Sequence, residues 1–425
     1  MTIQQDMHGW GCGCDTAGQG GLISIDAALA RISALVQPVA GQEDLPLAAA
    51  QGRVLAAPVL ARAALPPFDN SAMDGYALRA AALTGDGPWT LPVSDRIAAG
   101  QAGQGDDIAA NAVRIFTGAP LPPGADAVVM QEHVTRVGDQ ITLRHAVPAG
   151  ENIRRAGEEI AHGAQVLAPG ARLGARQLGT AAAAGHAHVT VTRRLRVALL
   201  ITGDEVTQPG HALDPARIWD VNTPLLSTAI AAPDIDLITA SPAGDDPDSL
   251  RAILADLARR ADLVVTTGGI SVGEEDHLRP AMRALGADLA FEGVLMKPGK
   301  PVSFGRLGGA LWLGLPGNPM SAYMCWQIFG TDIVRRLAGA SDPDTRRRHV
   351  VAGSAIRHRP GRCELRPARL SGHDHQGREV AQCDAATHSA RITQLAAADG
   401  VVLIPAEADE LPAGALLEFI PFNRT

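Results

Sequence analysis

The sequence has few aromatic residues, no long apolar run and no excess of positive charge. Phe, Trp and Tyr make up 3% of its 425 residues, so Leu, Val, Ile and Ala must fill the cores. No run approaches the roughly 18 apolar residues of a membrane span. The net charge of −8 argues against a general nucleic-acid binder, which would carry a basic stripe. We therefore expect neither a membrane nor a nucleic-acid partner.

Cysteine usage indicates the compartment. The five cysteines are Cys12, Cys14, Cys325, Cys363 and Cys383, and an odd number without framework spacing favours a reducing environment. The first residues lack the basic and apolar regions of a signal peptide, so we predict a cytoplasmic protein. Cys12 and Cys14 form a Cys-x-Cys pair that could bind a soft metal or belong to a tail without function.

The length is typical of two to four domains. Residues 1–22 are Gly-rich and predict a flexible tail. From about residue 194, apolar runs alternate with amphipathic segments such as Asp248–Arg260, which predicts a doubly wound, parallel α/β sheet. Residues 346–425 contain short alternating runs that predict a small β-barrel or sandwich. The predicted strands of the α/β domain are Leu195–Ile201, Ile235–Thr239, Ala261–Thr266 and Ala310–Gly314, and a long helix is predicted over Pro319–Leu337.

Four polar or Gly-rich loops follow apolar runs in this domain, at residues 202–205, 266–273, 297–301 and 315–319. Ligands of such sheets bind beyond the carboxyl ends of the strands. Glycines let backbone N–H groups approach an anion, and Lys297 and Lys300 add positive charge suited to an oxyanion. The alternative is a set of tight βα turns without a ligand. The candidate substrate-binding residues are Gly268, Gly269, Ser271, Gly273, Pro316, Gly317, Asn318 and Pro319.

The loops do not match better-known phosphate motifs. Pro301 follows Lys300 where a P-loop requires Ser or Thr, and no G-x-G-x-x-G fingerprint opens the domain. Carboxylates crowd the same edge, and phosphate ligands usually bring Mg²⁺ held by one or two carboxylates. Glu205, Asp245 and Asp276 are the candidate Mg²⁺ ligands because they lie in or beside the loops. The other acidic residues of this edge are interpreted as solvated surface.

A family resemblance rests on a series of motifs in one order. The most recognisable is Pro66-Pro67-Phe68-Asp69-Asn70-Ser71-Ala72-Met73-Asp74-Gly75-Tyr76-Ala77. The others are Thr117–Pro120, Asn152–Arg155, Thr202–Glu205, Thr267–Asp276, Lys297–Pro301 and Gly314–Pro319. Over about residues 23–420, the chain resembles the molybdopterin molybdenumtransferase family and is similar to the C-terminal domain of gephyrin.

The resemblance implies a multidomain α/β and β architecture. Residues 23–45 and 63–150 would form a mixed α+β domain, and residues 46–62 with 151–193 a small β-rich domain. Residues 194–345 would be the α/β domain of the molybdopterin-binding type, and residues 346–425 the C-terminal barrel. The family is a homodimer whose active site lies between the α/β domain and the Asp69–Tyr76 region of the partner subunit. A molybdopterin adenylyltransferase and molybdoenzyme maturation factors are further partners that it suggests.

The implied activity is insertion of molybdenum from molybdate into adenylylated molybdopterin, with Mg²⁺, and with release of AMP. Adenylyl transfer to molybdopterin and a gephyrin-like scaffold are the alternatives. The family pattern departs at four positions, where this chain has Glu159, Gly293, Pro367 (with Arg366 one place earlier) and His388. The family's catalytic residues fall at Asp74, Thr117, Arg154, Asp276, Lys297 and Lys300, a substrate-binding residue falls at Ser389, and the metal ligands fall at Glu205, Asp245 and Asp276.

Overall fold

The computed structural model describes residues 21–101, 108, 110–239, 246–269, 277–341, 347–384 and 392–422. Within these ranges, no helix is both long and apolar enough to cross a membrane. The predicted flexible tail, residues 1–22, lies almost wholly outside them, and so do Cys12 and Cys14.

The described helices are mostly short. They are α1 (Ile25–Leu35), α2 (Ala175–Ala183), α3 (Asn222–Ile230), α4 (Pro247–Arg260), α5 (Leu278–Ala284), α6 (Pro319–Cys325), α7 (Thr331–Leu337) and α8 (Thr393–Ala397). Single 3₁₀ turns cover Leu47–Ala49, Ala80–Ala82 and Gln131–His133.

Most of the described strands are short as well. The first fourteen along the chain are β1 (Gln42–Pro46), β2 (Val59–Leu60), β3 (Asn70–Ser71), β4 (Gly75–Leu78), β5 (Trp89–Ile97), β6 (Ala112–Ile115), β7 (Ala127–Met130), β8 (Val134–Val137), β9 (Gln140–Leu143), β10 (Ile153–Arg154), β11 (Gln165–Leu167), β12 (His188–Thr192), β13 (Leu195–Ile201) and β14 (Val206–Thr207). The rest are β15 (Ile218–Trp219), β16 (Ile235–Thr239), β17 (Leu263–Thr267), β18 (Asp288–Glu292), β19 (Met296–Lys297), β20 (Ser303–Leu307), β21 (Ala310–Leu315), β22 (Arg348–Ala352), β23 (Ile356–Arg357), β24 (Cys363–His373), β25 (Glu379–Cys383), β26 (Gly400–Ile404), β27 (Glu410–Leu411) and β28 (Leu416–Pro421).

The α/β domain contains a six-stranded sheet in the order β16-β13-β17-β21-β20-β18. Strand β13 is apolar almost throughout because both faces are covered. Its residues Val197 and Leu199 pack with α3, α6 and α7, whereas Ala198 and Leu200 pack with α4 and α5. The four predicted strands are present, but the sheet is not wholly parallel: β20 and β18 run antiparallel at one edge.

The helix predicted over Pro319–Leu337 is present in an interrupted form. A π-helical segment, Trp326–Gly330, separates α6 from α7. The Trp326 ring occupies the space beside Gly330, where a Cβ atom would lie 2.1 Å from the ring. Such one-turn π segments within helices are uncommon and local, so the apolar periodicity alone does not reveal them.

Residues 23–45 pack differently from the sequence-based domain division. Ser24 caps α1, its Oγ accepting a hydrogen bond from the Ala27 N–H at 3.1 Å. Ile25 and Ile32 then belong to the same buried cluster as β13 and α7. Strand β1 pairs antiparallel with β12. The segment therefore packs with the α/β domain and with residues 188–192, and not with residues 63–150 as expected.

Two smaller units complete the N-terminal half. A curled sheet has the strand order β7-β4-β6-β5-β9-β8, in which β5 pairs parallel with β6 and antiparallel with β9. The second unit contains the β1–β12 and β2–β11 pairs and the helix α2. The expectation of a small β-rich domain over residues 46–62 and 151–193 did not include α2, which has only nine residues and is rich in alanine.

The predicted C-terminal barrel is confirmed. Strands β24, β25, β22, β28 and β26 follow one another, and a β24–β26 pairing closes the ring. Strand β19 from the α/β domain pairs parallel with β24, so that Lys297 lies opposite Glu364. This pairing ties the loop containing Lys297 and Lys300 to the barrel wall.

Candidate active site

Three of the four predicted loops follow parallel strands. Thr202 follows β13, Gly268 follows β17 and Pro316 follows β21. The chain leaves β13 for β16 on one side and returns to β17 on the other, so β13 and β17 flank a topological switch point, where ligands of such sheets bind. The fourth loop, residues 297–301, was expected at a carboxyl end as well. It instead precedes β20, and it reaches the same edge because β20 is antiparallel to β21.

A cavity of about 660 Å³ lies at this edge. It brings together all the predicted substrate-binding residues of the described ranges, together with Glu205. Ser271, Gly273, Asp276, Asp245 and Ser389 lie outside those ranges. The lining residues predicted from the sequence are Glu205, Gly268, Gly269, Pro316, Gly317, Asn318 and Pro319, and those that the sequence reasoning did not single out include Leu213, Arg217, Ile218, Trp219 and Asn222.

Gly268 permits the close approach of two loops on the cavity floor. Its φ is +96°, and a Cβ atom there would lie 2.2 Å from the Thr202 carbonyl oxygen. Only glycine fits such a position without strain. Side-chain hydrogen bonds then join the loops: Thr267 Oγ1 donates to the Pro316 carbonyl at 2.8 Å, and Asn222 Nδ2 donates to the Gly317 carbonyl at 2.7 Å. The floor is therefore pre-organised.

A second, smaller pocket of about 220 Å³ adjoins the first. Both are lined by Pro301, Pro316 and Asn318. Lys297, Lys300 and Arg362 also line the smaller one, which we call the basic pocket. The two lysines are the only lysines among the 37 basic residues of the sequence. Three cations around one small volume suit an oxyanion.

Arg362 was not predicted from the sequence. It comes from the C-terminal domain, just before β24, and reaches the basic pocket because β24 pairs with β19. Arg366, which precedes the departure from the family pattern at Pro367, is not among the residues that line the basic pocket. The Arg366 side chain is 4% exposed and pairs with Glu364, so it supports the barrel instead of lining the basic pocket. The sequence feature that could have pointed to Arg362 is the Pro360-Gly361 pair directly before it, which is typical of a loop.

Glu364 links Lys297 to a buried polar cluster. Its Oε1 lies 3.7 Å from Lys297 Nζ and 3.1 Å from Arg366 Nε, and its Oε2 lies 3.8 Å from His358 Nε2. Burial acts to raise the Glu364 pKa, but the hydrogen bonds and charge of Arg366, with the charge of Lys297, outweigh burial and lower it. The carboxylate therefore stays ionised and holds the Lys297 ammonium at the edge of the basic pocket.

Asp74 and Thr117 meet in the curled sheet. Asp74 Oδ1 accepts hydrogen bonds from the Thr117 N–H at 2.8 Å and from Thr117 Oγ1 at 2.9 Å. These bonds, with the charge of Arg114, lower the Asp74 pKa. Arg154 lies on β10, paired with Asn70 of β3. Neither of these two cavities is lined by a described residue between 21 and 193, so Asp74, Thr117 and Arg154 of the same chain are not among their lining residues.

Only one of the three predicted metal ligands, Glu205, lies within the described residues. Within the described ranges, no group of three His, Cys, Asp or Glu side chains is arranged to hold a metal ion. Glu205 lines the large cavity, and its carboxylate lies against Gly203, where a Cβ atom would be 2.5 Å from Oε2. Asp220 is buried, and its Oδ1 accepts a hydrogen bond from the Thr223 N–H at 2.9 Å.

Comparison with known proteins agrees with this arrangement. Residues 23–185 match the MoeA N-terminal region (domain I and II), residues 198–336 a probable molybdopterin binding domain, and residues 349–422 the MoeA C-terminal region (domain IV). Molybdopterin molybdenumtransferase 2 of Mycobacterium tuberculosis is 37% identical over 383 residues, which cover 88% of this chain and 93% of that protein. The molybdopterin molybdenumtransferase of Haemophilus influenzae is 37% identical over 70% of this chain and 73% of its own.

Solved structures show the same fold. A molybdopterin biosynthesis MoeA protein from Pyrococcus horikoshii superposes with a TM-score of 0.79 at 28% identity, over 95% of this chain and all of that one. A second structure of a MoeA protein from the same organism gives 0.81 at 25% identity, over 94% of this chain. An α/β domain of the molybdopterin-binding type, a closed C-terminal barrel and a curled N-terminal sheet define this class of transferase. The chain belongs to the molybdopterin molybdenumtransferase family.

Proposed function

We propose that the protein inserts molybdenum from molybdate into adenylylated molybdopterin and releases AMP. The observation that carries the proposal is the junction of the two cavities at Pro316 and Asn318. The large cavity has room for a heteroaromatic part of the substrate, and the basic pocket suits a tetrahedral oxyanion. A substrate that places its reacting group at this junction would meet the oxyanion there.

Three cations provide the electrostatic part of the reaction. Lys297, Lys300 and Arg362 would bind molybdate and offset the negative charge that develops when the phosphoanhydride is cleaved. Glu364 keeps Lys297 in place from the barrel side, at 3.7 Å. The backbone floor at Gly268 and Gly317 holds the other side of the cavity without side chains. These groups bind and orient the reactants.

Glu205 fits a role in holding Mg²⁺. It is an exposed carboxylate on the cavity wall, and Mg²⁺ is commonly held by one or two carboxylates plus phosphate oxygens and waters. Asp245 and Asp276 are proposed as the further ligands. When bound, the ion would polarise the phosphate oxygens of the anhydride.

We also propose a cytoplasmic homodimer. Asp74, Thr117 and Arg154 would then reach the cavity from the partner subunit. Among the described residues, Cys325, Cys363 and Cys383 form no disulfide bond, as suits a reducing compartment. A molybdopterin adenylyltransferase would supply the substrate, and a molybdoenzyme maturation factor would receive the product.

The test is a reconstitution with defined components. The protein is incubated with adenylylated molybdopterin, Mg²⁺ and molybdate, and AMP and active molybdenum cofactor are measured. We expect AMP release that depends on molybdate. Release at the same rate without molybdate, or none at all, would contradict the proposal. Consumption of ATP with free molybdopterin would point to adenylyl transfer instead.

A further inference from the structure

His358 is a buried ionisable side chain close to the basic pocket, and the reaction proposed above does not use it. Its side chain is 2% exposed. The residue follows β23, which pairs with β27, and its own N–H donates to the Asp409 carbonyl at 2.8 Å. The barrel therefore fixes the backbone from which the imidazole extends.

Both ring nitrogens of His358 face main-chain carbonyl oxygens. Nδ1 lies 2.7 Å from the Ala408 oxygen, and Nε2 lies 3.0 Å from the Arg362 oxygen. A carbonyl oxygen only accepts hydrogen bonds, whereas a neutral imidazole has one N–H donor and one nitrogen lone pair. In a neutral ring the lone pair would point at one of the two oxygens. Only the imidazolium, with two N–H groups, satisfies both contacts.

Within the described ranges, the one charged partner of this ring is a carboxylate. Glu364 Oε2 lies 3.8 Å from His358 Nε2, and neither side chain is more than 3% exposed. Burial acts to raise the Glu364 pKa, but the hydrogen bonds and charge of Arg366, with the charges of Lys297 and His358, lower it. The carboxylate is therefore ionised at neutral pH and compensates the imidazolium. Without this carboxylate the ring can release its proton, which Arg366 cannot do.

Two contacts connect His358 to the cations of the basic pocket. The Arg362 carbonyl that it faces belongs to a residue that lines the pocket, and the other oxygen of Glu364 lies 3.7 Å from Lys297 Nζ. Three cationic side chains, those of Lys297, His358 and Arg366, thus surround one carboxylate. The excess of positive charge behind this wall favours an anion in the pocket.

We infer that His358 is a positioning residue for the basic pocket, where its imidazolium holds the main chain of Arg362 and shares Glu364 with Lys297. This role rests on the proposed function, in which the pocket binds the oxyanion. Loss of the ring proton would remove one of the two hydrogen bonds of the ring and one positive charge. Oxyanion binding should therefore weaken as the pH rises and His358 becomes neutral.

Isothermal titration calorimetry of the full-length protein with molybdate, at about pH 6 and about pH 9, tests this role, because a free histidine is mostly charged at the first pH and neutral at the second. We expect His358→Gln to bind molybdate roughly tenfold more weakly than wild type at about pH 6, and the two affinities to converge at about pH 9. Groups other than His358 affect both proteins equally, so their titration cancels in the ratio of the two affinities.

Two further variants separate the charge of the ring from its packing. His358→Lys keeps a positive charge and several N–H donors, so it should retain most of the wild-type affinity, at about pH 9 as well as at about pH 6. His373→Gln changes an exposed histidine at the end of β24 and is the matched control, which should bind molybdate like wild type at both pH values. Circular dichroism establishes that each variant is folded.

The protonation state of the ring is measured on the wild-type protein. Nuclear magnetic resonance with selective ¹⁵N labelling of histidine reports both ring nitrogens, and the signals missing from His358→Gln identify the residue. We expect both nitrogens of His358 to carry a proton at about pH 6. A ring with only one protonated nitrogen at this pH would overturn the inference.

Different results decide the role of His358 and the proposed function. A ratio of wild-type to His358→Gln affinity that is the same at both pH values, or no measurable molybdate binding by the wild type, overturns the role of His358 even if AMP release depends on molybdate. Molybdate binding that depends on His358 and on pH as expected, without molybdate-dependent AMP release, supports this role and contradicts the proposed function.

Discussion

Lysine is used at only two positions in this chain, and both lie in the basic pocket. Elsewhere the basic residues are arginines. A lysine ammonium is a compact point charge, whereas the guanidinium of arginine is a broad planar fork. A small pocket that must admit a tetrahedral oxyanion between three cations suits the smaller group at two of them.

Lys297→Ala is therefore expected to lower kcat/KM for molybdate-dependent AMP release about 100-fold, the typical effect of losing one preorganised electrostatic contact. Arg259→Ala, a change on the exposed face of α4, is the control. A Lys297→Ala variant within threefold of wild type, about 0.7 kcal/mol, would exclude Lys297 from the reaction.

Glu364 is expected to contribute to stability as well as to the site. Glu364→Gln leaves the buried Arg366 guanidinium without its partner and should lower the free energy of unfolding by about 3 kcal/mol. Replacing both residues, as Glu364→Gln with Arg366→Met, should recover part of this loss because no uncompensated charge remains. Urea unfolding measures both. If the double variant is less stable than Glu364→Gln alone, the loss of the ion pair is not the cause of the destabilisation.

At the scale of elements, the floor of the cavity depends on how closely the loops after β13 and β17 approach. Gly268→Ala would place a Cβ atom 2.2 Å from the Thr202 carbonyl oxygen at a φ of +96°, so the loops must separate. We expect a loss of unfolding free energy of at least about 2 kcal/mol. At Gly317, a Cβ atom would be 3.5 Å from Gly268 Cα, an ordinary contact. Gly317→Ala should therefore leave thermal stability nearly unchanged.

The opposite edge of the same sheet contains an ion cluster that should make stability depend on pH. Asp262 pairs with Arg193 at 2.8 Å and with Arg196 at 3.0 Å. Burial acts to raise its pKa, but the hydrogen bonds from the two arginines outweigh burial and lower the pKa to about 2. The folded-state pKa lies below the unfolded one, so the stabilisation is present above about pH 4 and is lost as the pH falls towards 2.

Asp262→Asn should accordingly cost about 2 kcal/mol of unfolding free energy at pH 7, and the gap to wild type should narrow below about pH 4. Denaturant unfolding across pH 3 to 7 measures it. Asp256→Asn, which affects exposed ion pairs on α4, should show a dependence of the same sign but much smaller size, because solvent screens these pairs. A difference in unfolding free energy between Asp262→Asn and wild type that widens as the pH falls would contradict this prediction.

Local sequence patterns predicted the elements of the α/β domain well. Strand β13 is predicted with its observed bounds because both of its faces are buried and its residues are apolar. The loop at Lys297 was expected at the correct edge, although the prediction assumed a parallel strand, since sequence patterns do not report strand direction. Trp219, Asn222 and Arg362 were missed because only tertiary packing brings them to the cavities.

At the scale of the whole molecule, the site is divided between distant parts of the chain. The α/β domain supplies the floor, the barrel supplies Arg362 and Glu364, and Asp74 lies in the curled sheet. No local pattern could have shown that β24 joins β19, because the pairing places Met296 opposite Cys363, far away in the sequence. The family resemblance, and not the residue patterns, suggested that Asp74 acts across a dimer.

Subunit mixing tests that division. Asp74→Asn and Lys297→Ala homodimers should both be nearly inactive. Random pairing of the two variants should restore about a quarter of wild-type activity, because each mixed dimer has one intact site. AMP release from the co-expressed, co-purified mixture is measured. No recovery in a mixture with proven mixed dimers would place Asp74 and Lys297 in the same site of one chain.

We expect molybdate to bind in the basic pocket and to provide the transferred molybdenum from there. Anomalous diffraction at the molybdenum absorption edge, from crystals of the protein soaked in molybdate, tests it most directly. We expect one dominant peak between Lys297, Lys300 and Arg362, which is lost in the Lys297→Ala variant. A dominant peak elsewhere, with the basic pocket empty, would contradict it.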